Sequence, residues 1–125
     1  MDKLILIVED EVDMREALVA ALEASGFRTI ATDNGETGLE LAQEHKPDLV
    51  LLDILMPIMT GQEMFRQLRA EPWGADMKVV MVTSLDDVGN IGTGFARGVN
   101  DYIIKSNTNL ADIVKIAKDV CNSEN

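Results

Sequence analysis

Five short apolar runs punctuate the chain: Leu4 to Val8, Phe27 to Ala31, Leu49 to Leu52, Val79 to Val82 and Tyr102 to Ile104. They are rich in β-branched residues and nearly continuous in apolar character, which is the pattern of strands buried on both faces. Amphipathic stretches separate them. Met14, Leu18, Ala21 and Leu22 recur at helical spacing, and Ser25-Gly26 supplies a stop. Asn34, in the turn Asp33-Asn34-Gly35, is placed to cap a helix carrying Leu39, Leu41 and Ala42, with Pro47 ending it. Met64, Phe65 and Leu68 predict a helix over Gly61 to Leu68, followed by a Glu71-Pro72-Trp73-Gly74 loop. Leu110, Ile113, Val114, Ala117 and Val120 form one stripe of a last helix, with Asn107 or Thr108 as its cap. Between Leu85 and Val99 the signal is weaker. Gly89, Gly92 and Gly94 fall close together, and each costs roughly 1 kcal/mol in a helix relative to alanine, so the segment predicts a short, labile helix from about Asp86 to Ala96.

Strand–helix alternation repeated five times implies an α/β fold: a parallel sheet with helices on both faces, joined by right-handed crossovers. The 125 residues are enough for one domain, spanning 1–125, and too few for two. Aromatics make up only 4% of the chain, so Val, Ile, Leu, Met and Ala must build the core. A net charge of -11 argues against a direct nucleic-acid partner, because phosphate backbones need Lys and Arg to neutralise them. Cys121 is the one cysteine, which leaves no disulfide framework and no thiolate metal site. The opening apolar run is too short for a signal peptide, and no run approaches the roughly 20 residues that span a bilayer. The expected setting is cytoplasmic, with no membrane partner.

Open sheets of this kind bind ligands at the carboxyl ends of their strands. There the sequence places Glu9-Asp10-Glu11 after the first run, Asp53 after the third, Thr83-Ser84 after the fourth and Lys105 after the fifth. Glu9, Asp10 and Asp53 offer hard oxygen ligands of the kind that hold Mg²⁺. Without a cation they repel one another, which raises the proton affinity of at least one. Lys105 is a point charge able to bridge acid and phosphoryl oxygens. Singly, each residue has a plainer use. Acids favour helix starts, Asp53 suits a turn before Pro57 and Gly61, Thr83 suits a strand, and Lys105 suits a solvated surface. Their joint appearance at neighbouring strand ends is harder to assign to chance.

Ile7-Val8-Glu9-Asp10-Glu11, Leu51-Leu52-Asp53-Ile54-Leu55-Met56-Pro57, Met81-Val82-Thr83-Ser84 and Asp101-Tyr102-Ile103-Ile104-Lys105 together resemble the signatures of response-regulator receiver domains, of the chemotaxis type, in order and spacing over essentially the whole chain. The resemblance implies the doubly wound (βα)5, flavodoxin-like receiver fold with strand order 2-1-3-4-5. It implies that Asp53 accepts a phosphoryl group from a histidine kinase or phosphotransfer protein. Asp10 then ligates Mg²⁺ directly, Glu9 acts in the same pocket through water, and Asp53 and the backbone carbonyl of Leu55 complete the protein's share. Thr83 hydrogen-bonds a phosphoryl oxygen, Lys105 pairs with another, and Tyr102 changes position with Thr83 when the domain switches. The output is a change in the face formed by the glycine-rich helix, the fifth strand and the last helix, read by a downstream effector protein or output domain. Such a chain is a regulatory phosphoacceptor and not an enzyme, beyond its own phosphorylation and autodephosphorylation.

The family commonly carries proline after that lysine. Ser106 stands there instead, which implies a trans or strained bond and an altered loop. Ser84 is small, which leaves the phosphoryl site open to phosphodonor and water; Leu55 and Leu85 are apolar where family members vary in dephosphorylation rate and hinder water, so the expectation is a longer-lived phosphoryl group. Met56 and Met59 suit gap-filling, or a kinase-docking surface. Ile116 lies off the inward stripe, and His45 is expected to be solvated. Three other readings compete. A phosphohydrolase of the haloacid-dehalogenase type needs a second Asp two residues after the nucleophile, where Leu55 stands. A flavodoxin-like cofactor binder needs a phosphate-cradling loop after the first strand, where Glu9-Asp10-Glu11 would repel the phosphate. A degenerate receiver acting only through protein contacts is disfavoured by the intact set Asp10, Asp53, Thr83 and Lys105.

Overall fold

Alternation within the apolar runs explains the architecture. The computed structural model describes residues 2–54, 56, 58–83, 99–105 and 108–123. Among these, β1 (Leu4–Val8), β2 (Arg28–Thr32), β3 (Leu49–Asp53), β4 (Val79–Thr83) and β5 (Asp101–Ile104) form one sheet in the order β2-β1-β3-β4-β5. All four pairings are parallel. Ile5 and Ile7 of β1, Leu49 and Leu51 of β3, and Val80 and Val82 of β4 pack on one face. They meet Leu18 and Leu22 of α1 (Val12–Ala24) and Ile113, Ala117 and Val120 of α4 (Leu110–Asn122). The intervening Leu6, Val8, Val50, Leu52, Val79 and Met81 build a second core on the other face. That core takes Ala42 of α2 (Gly35–His45) and Met64, Phe65 and Leu68 of α3 (Gly61–Ala70). Each interior strand feeds both cores, so both its odd and even positions must be apolar.

The two edge strands depart from that rule. The second run was expected over Phe27 to Ala31 as a strand buried on both faces. It is β2, one residue later, and none of its residues is fully buried. In β5 only Ile103 is buried. Edge position explains both, since one long side of each strand has no described neighbour.

The helix termini follow local chemistry. The Asn34 carboxamide oxygen accepts from the Thr37 N–H at 2.8 Å and starts α2. That helix ends at His45, two residues before Pro47, and its C-cap Lys46 adopts φ 45°. Thr60 and Glu63 form a reciprocal capping box on α3, a device that satisfies two of the free N–H groups at a helix start. The expected Glu71 to Gly74 loop contains a 3-10 turn, Pro72–Gly74. The cap of α4 is Asn109, which accepts from the Asp112 N–H at 2.8 Å, and not Asn107 or Thr108. Leu110, expected on the inward stripe, sits at the first turn and is exposed. Ile116 is half-buried against the first core, and Met56 fills space in the second. The helix expected over Asp86 to Ala96 lies outside the described residues, as do Leu55, Ser84, Leu85 and the Lys105–Ser106 linkage.

Candidate functional site

Strand register brings the acids together. Val8 pairs with Leu52, so the next residues, Glu9 and Asp53, stand level on adjacent strands. Asp53 in turn pairs with Val82, and Thr83 with Ile104. Thr83 and Lys105 therefore follow at the ends of the next two strands. Glu9 is 1% exposed and Asp53 4% exposed, the two buried charged residues of the described core. Exposed Asp10 completes the group: one carboxylate oxygen from each of Glu9, Asp10 and Asp53 lies within 4.8 Å of the others.

The Lys105 ammonium reaches into this cluster. It lies 3.1 Å from Glu9 Oε2, 3.5 Å from Asp53 Oδ2 and 3.8 Å from Glu11 Oε1. Glu9 Oε2 also accepts from the Glu11 N–H at 3.1 Å. Its other oxygen, Oε1, is buried with no hydrogen-bond partner among the described residues. An unmade bond at a buried carboxylate is costly, so this oxygen marks a position where a cation or its water belongs. Burial, followed by the nearby Glu9 charge, pushes the Asp53 carboxyl up from 3.8 to about 8, with Lys105 pulling it back. Burial opposes the charge on Lys105, but Asp53 and Glu9 outweigh it and hold that ammonium above its ordinary pKa. The donor set fits a hard divalent cation, whose charge would relieve the repulsion and return Asp53 to its ionised form.

Glu11 does not act as the helix cap its position suggested. Its side chain makes no capping bond to α1 and turns instead to Lys105. Two further residues serve the site without having been singled out for it. Arg15 Nη1 donates to the Glu9 carbonyl at 2.9 Å and fixes the end of β1. A cation in the first turn of a helix opposes the dipole, and that misplacement was the available signal. Gly61 donates its N–H to the Ile54 carbonyl at 2.9 Å. A Cβ there would overlap the backbone carbonyl of Asp53. Glycine at the first position of a helix already capped by Thr60 hinted at such an approach. Tyr102 packs on the second core, and its hydroxyl is buried without a partner among the described residues. The backbone of Thr83 ends β4 beside this cluster; its side chain and the Leu55 carbonyl lie outside the described residues.

Comparison with known proteins adds an independent line. A family model for the response regulator receiver domain matches residues 5–118. The phosphate regulon transcriptional regulatory protein PhoB of Pseudomonas aeruginosa is 35% identical over 103 residues, covering 82% of this chain and 45% of that protein. The DNA-binding response regulator MtrA of Mycolicibacterium paratuberculosis is 36% identical over 105 residues, covering 84% of this chain and 45% of that protein. The chain thus spans less than half the length of the curated relatives it matches. A crystal structure of a DNA-binding response regulator of the LuxR family from Staphylococcus aureus superposes with a TM-score of 0.85 at 31% identity. That match covers 96% of this chain and 99% of the other.

Proposed function

The chain belongs to the response regulator receiver domain family, and we propose that it works as a phosphorylation-dependent switch with Asp53 as the phosphoacceptor. The observation that carries the assignment is a buried carboxylate at the centre of an acid cluster, 3.5 Å from a lysine ammonium. In the proposed reaction a carboxylate oxygen of Asp53 attacks the phosphorus of a phosphohistidine on a histidine kinase or phosphotransfer protein. The P–N bond breaks, its electron pair stays with the imidazole, and an acyl phosphate forms on Asp53. Glu9, Asp10 and Asp53 would hold Mg²⁺, with the Leu55 carbonyl as a further ligand. When bound, Mg²⁺ supplies positive charge against the phosphoryl oxygens. Lys105 supplies a second positive charge, and Thr83 supplies a hydroxyl donor. A unit pair at 4 Å is worth about 4 kcal/mol at an effective dielectric of 20, enough to bias a bistable segment through Thr83 and Tyr102. The chain then acts as a regulatory phosphoacceptor, whose own turnover is limited to self-phosphorylation and autodephosphorylation.

A protein donor is supported by where apolar surface is left uncovered. Val12, Ile58 and Leu110 are the exposed large hydrophobic residues of the described structure. They follow the carboxyl ends of β1, β3 and β5 respectively, on the edge where a donor must reach Asp53. An apolar groove of about 400 Å³ beside Lys105, lined by Met14, Ala17, Leu110 and Ile113, lies between α1 and α4. No described helix is long and apolar enough to cross a membrane. A cytoplasmic kinase domain is the donor that goes with this reading. The downstream effector or output domain would read the face around β5 and α4.

The test is intact mass after incubation with acetyl phosphate, with and without Mg²⁺, beside Asp53→Asn. A Mg²⁺-dependent gain of one phosphoryl group that the variant lacks is the expected result. A gain that persists in the variant rules out Asp53. No gain from acetyl phosphate or from phosphorylated kinases turns the reading towards a phosphorylation-independent interaction module.

A further inference from the structure

At the opposite end of the sheet from Asp53 lies a pocket of about 360 Å³, lined among others by Lys3, Lys46, Asp48, Trp73, Asp76 and Lys78. The fold gathers these residues for a simple reason. Lys3 immediately precedes β1, Asp48 precedes β3, Lys78 precedes β4, and Lys46 closes the carboxyl end of α2. Adjacent parallel strands begin side by side, so whatever precedes them meets. The 3-10 turn then sets Trp73, half-buried, against the same opening.

The charge balance of the pocket runs against that of the chain. The chain carries 22 acidic against 11 basic residues, whereas this pocket sets three lysines against two aspartates, Asp48 and Asp76. Among the described residues none of Lys3, Lys46 and Lys78 has a carboxylate oxygen within 4.0 Å. Asp48 spends one oxygen on the Leu4 N–H, at 2.8 Å. Lys78 donates to the Ser123 carbonyl at 2.6 Å and the Cys121 carbonyl at 3.4 Å; these neutral acceptors fix its place and leave its charge uncancelled. Lys46 has only a carbonyl, that of Gln43, at 3.4 Å. Three ammonium groups against two carboxylates leave the pocket net positive beside a flat indole, a complementary surface for a ligand with a phosphate and a planar ring. Lysine binds phosphate as a point charge, and an indole face accepts a base by stacking.

We propose that this pocket binds a phosphorylated ligand of the nucleotide class, with the phosphate on the lysines and the ring on Trp73. Its volume lies at the small end of small-molecule sites, which suits a mononucleotide better than a larger conjugate. The site lies a full strand length from the acid cluster, about 17 Å, and does not depend on the role given to Asp53. Trp73 is the chain's one tryptophan, so its emission reports on this pocket without labelling. The experiment titrates the full chain with adenosine monophosphate, exciting at the red edge of the indole band, with adenosine as the uncharged control. A Lys3→Ala/Lys46→Ala variant, checked for a native circular dichroism spectrum, is titrated in parallel. The expected result is a saturable change with a Kd of about 1 mM or tighter, weakened roughly tenfold or more in the variant and for adenosine. No saturable change, binding that survives loss of both lysines, or adenosine binding as tightly as its monophosphate would each overturn the proposal.

Discussion

Replacing Asp53 by asparagine is expected to make the cation-free protein more stable at neutral pH. Burial and the neighbouring Glu9 move the Asp53 carboxyl from 3.8 to about 8 in the folded chain. Its folded pKa thus lies above its unfolded value. Between about pH 4 and pH 8 the unfolded chain binds fewer protons than the folded one, so stability falls as pH rises. The contribution is fully present below about pH 4 and gone above about pH 8. One pKa unit is worth 1.36 kcal/mol, so at pH 7 the shift costs up to about 4 kcal/mol, against a typical total of about 5–15. Asparagine keeps the shape and removes the titration. Allowing for hydrogen bonds it makes less well, a gain of about 1–4 kcal/mol is expected at pH 7, shrinking towards zero near pH 4. Urea unfolding followed by Trp73 emission at several pH values in EDTA measures it. Mg²⁺ should flatten the slope in the parent and leave the variant unchanged, because a cation stabilises the ionised carboxylate. Equal slopes for parent and variant in EDTA, or a variant less stable than the parent at pH 8, would refute the reasoning.

Three further substitutions probe the same edge. Gly61→Ala should cost about 1–3 kcal/mol of stability, because its Cβ collides with the Asp53 carbonyl. It should also slow acetyl-phosphate labelling by roughly tenfold or more through displacement of the acceptor, both read by unfolding and by mass. Ile58 holds φ 72° while 80% exposed, and a left-handed β-branched residue costs roughly 1–2 kcal/mol. Ile58→Gly should therefore stabilise the fold in thermal unfolding, leave acetyl-phosphate labelling intact and slow transfer from a protein donor; faster transfer would remove Ile58 from the donor surface. Lys105→Ala takes away the ammonium that sits on Glu9 and Asp53. Calorimetry should show tighter Mg²⁺ binding and mass spectrometry slower phosphorylation, whereas weaker Mg²⁺ binding would contradict a shared position for the two cations.

The legible parts of the sequence were those decided by neighbours along the chain. The bounds of β1 and the Asn34 cap of α2 were readable because alternation and capping are local. Glu9, Asp10, Asp53 and Lys105 were readable as strand-end residues, and parallel strands deliver their ends to one edge. Burial of β2 was misread because apolar composition does not tell an edge strand from an interior one. The cap at Asn109 was missed because three polar residues precede Leu110 and any of them could serve. Gly61 and Arg15 act across the chain, on Asp53 and on the Glu9 carbonyl. Such approaches leave only faint marks, a glycine or a cation where a helix start disfavours it.

Four of the five residues of each of β1, β3 and β4 pack into one core or the other. Sliding β3 by one residue would send Leu51 into the space of Leu52 and exchange the two interiors along the whole strand. Sliding it by two would respect the faces but lift Asp53 by about 6.6 Å, at 3.3 Å per residue, clear of Glu9 and Lys105. The permitted positions of the acceptor are therefore discrete. Packing on both sides of the sheet works as a ratchet, and the few ångströms that separate one carboxylate from the next at the site are set by side chains buried well away from it.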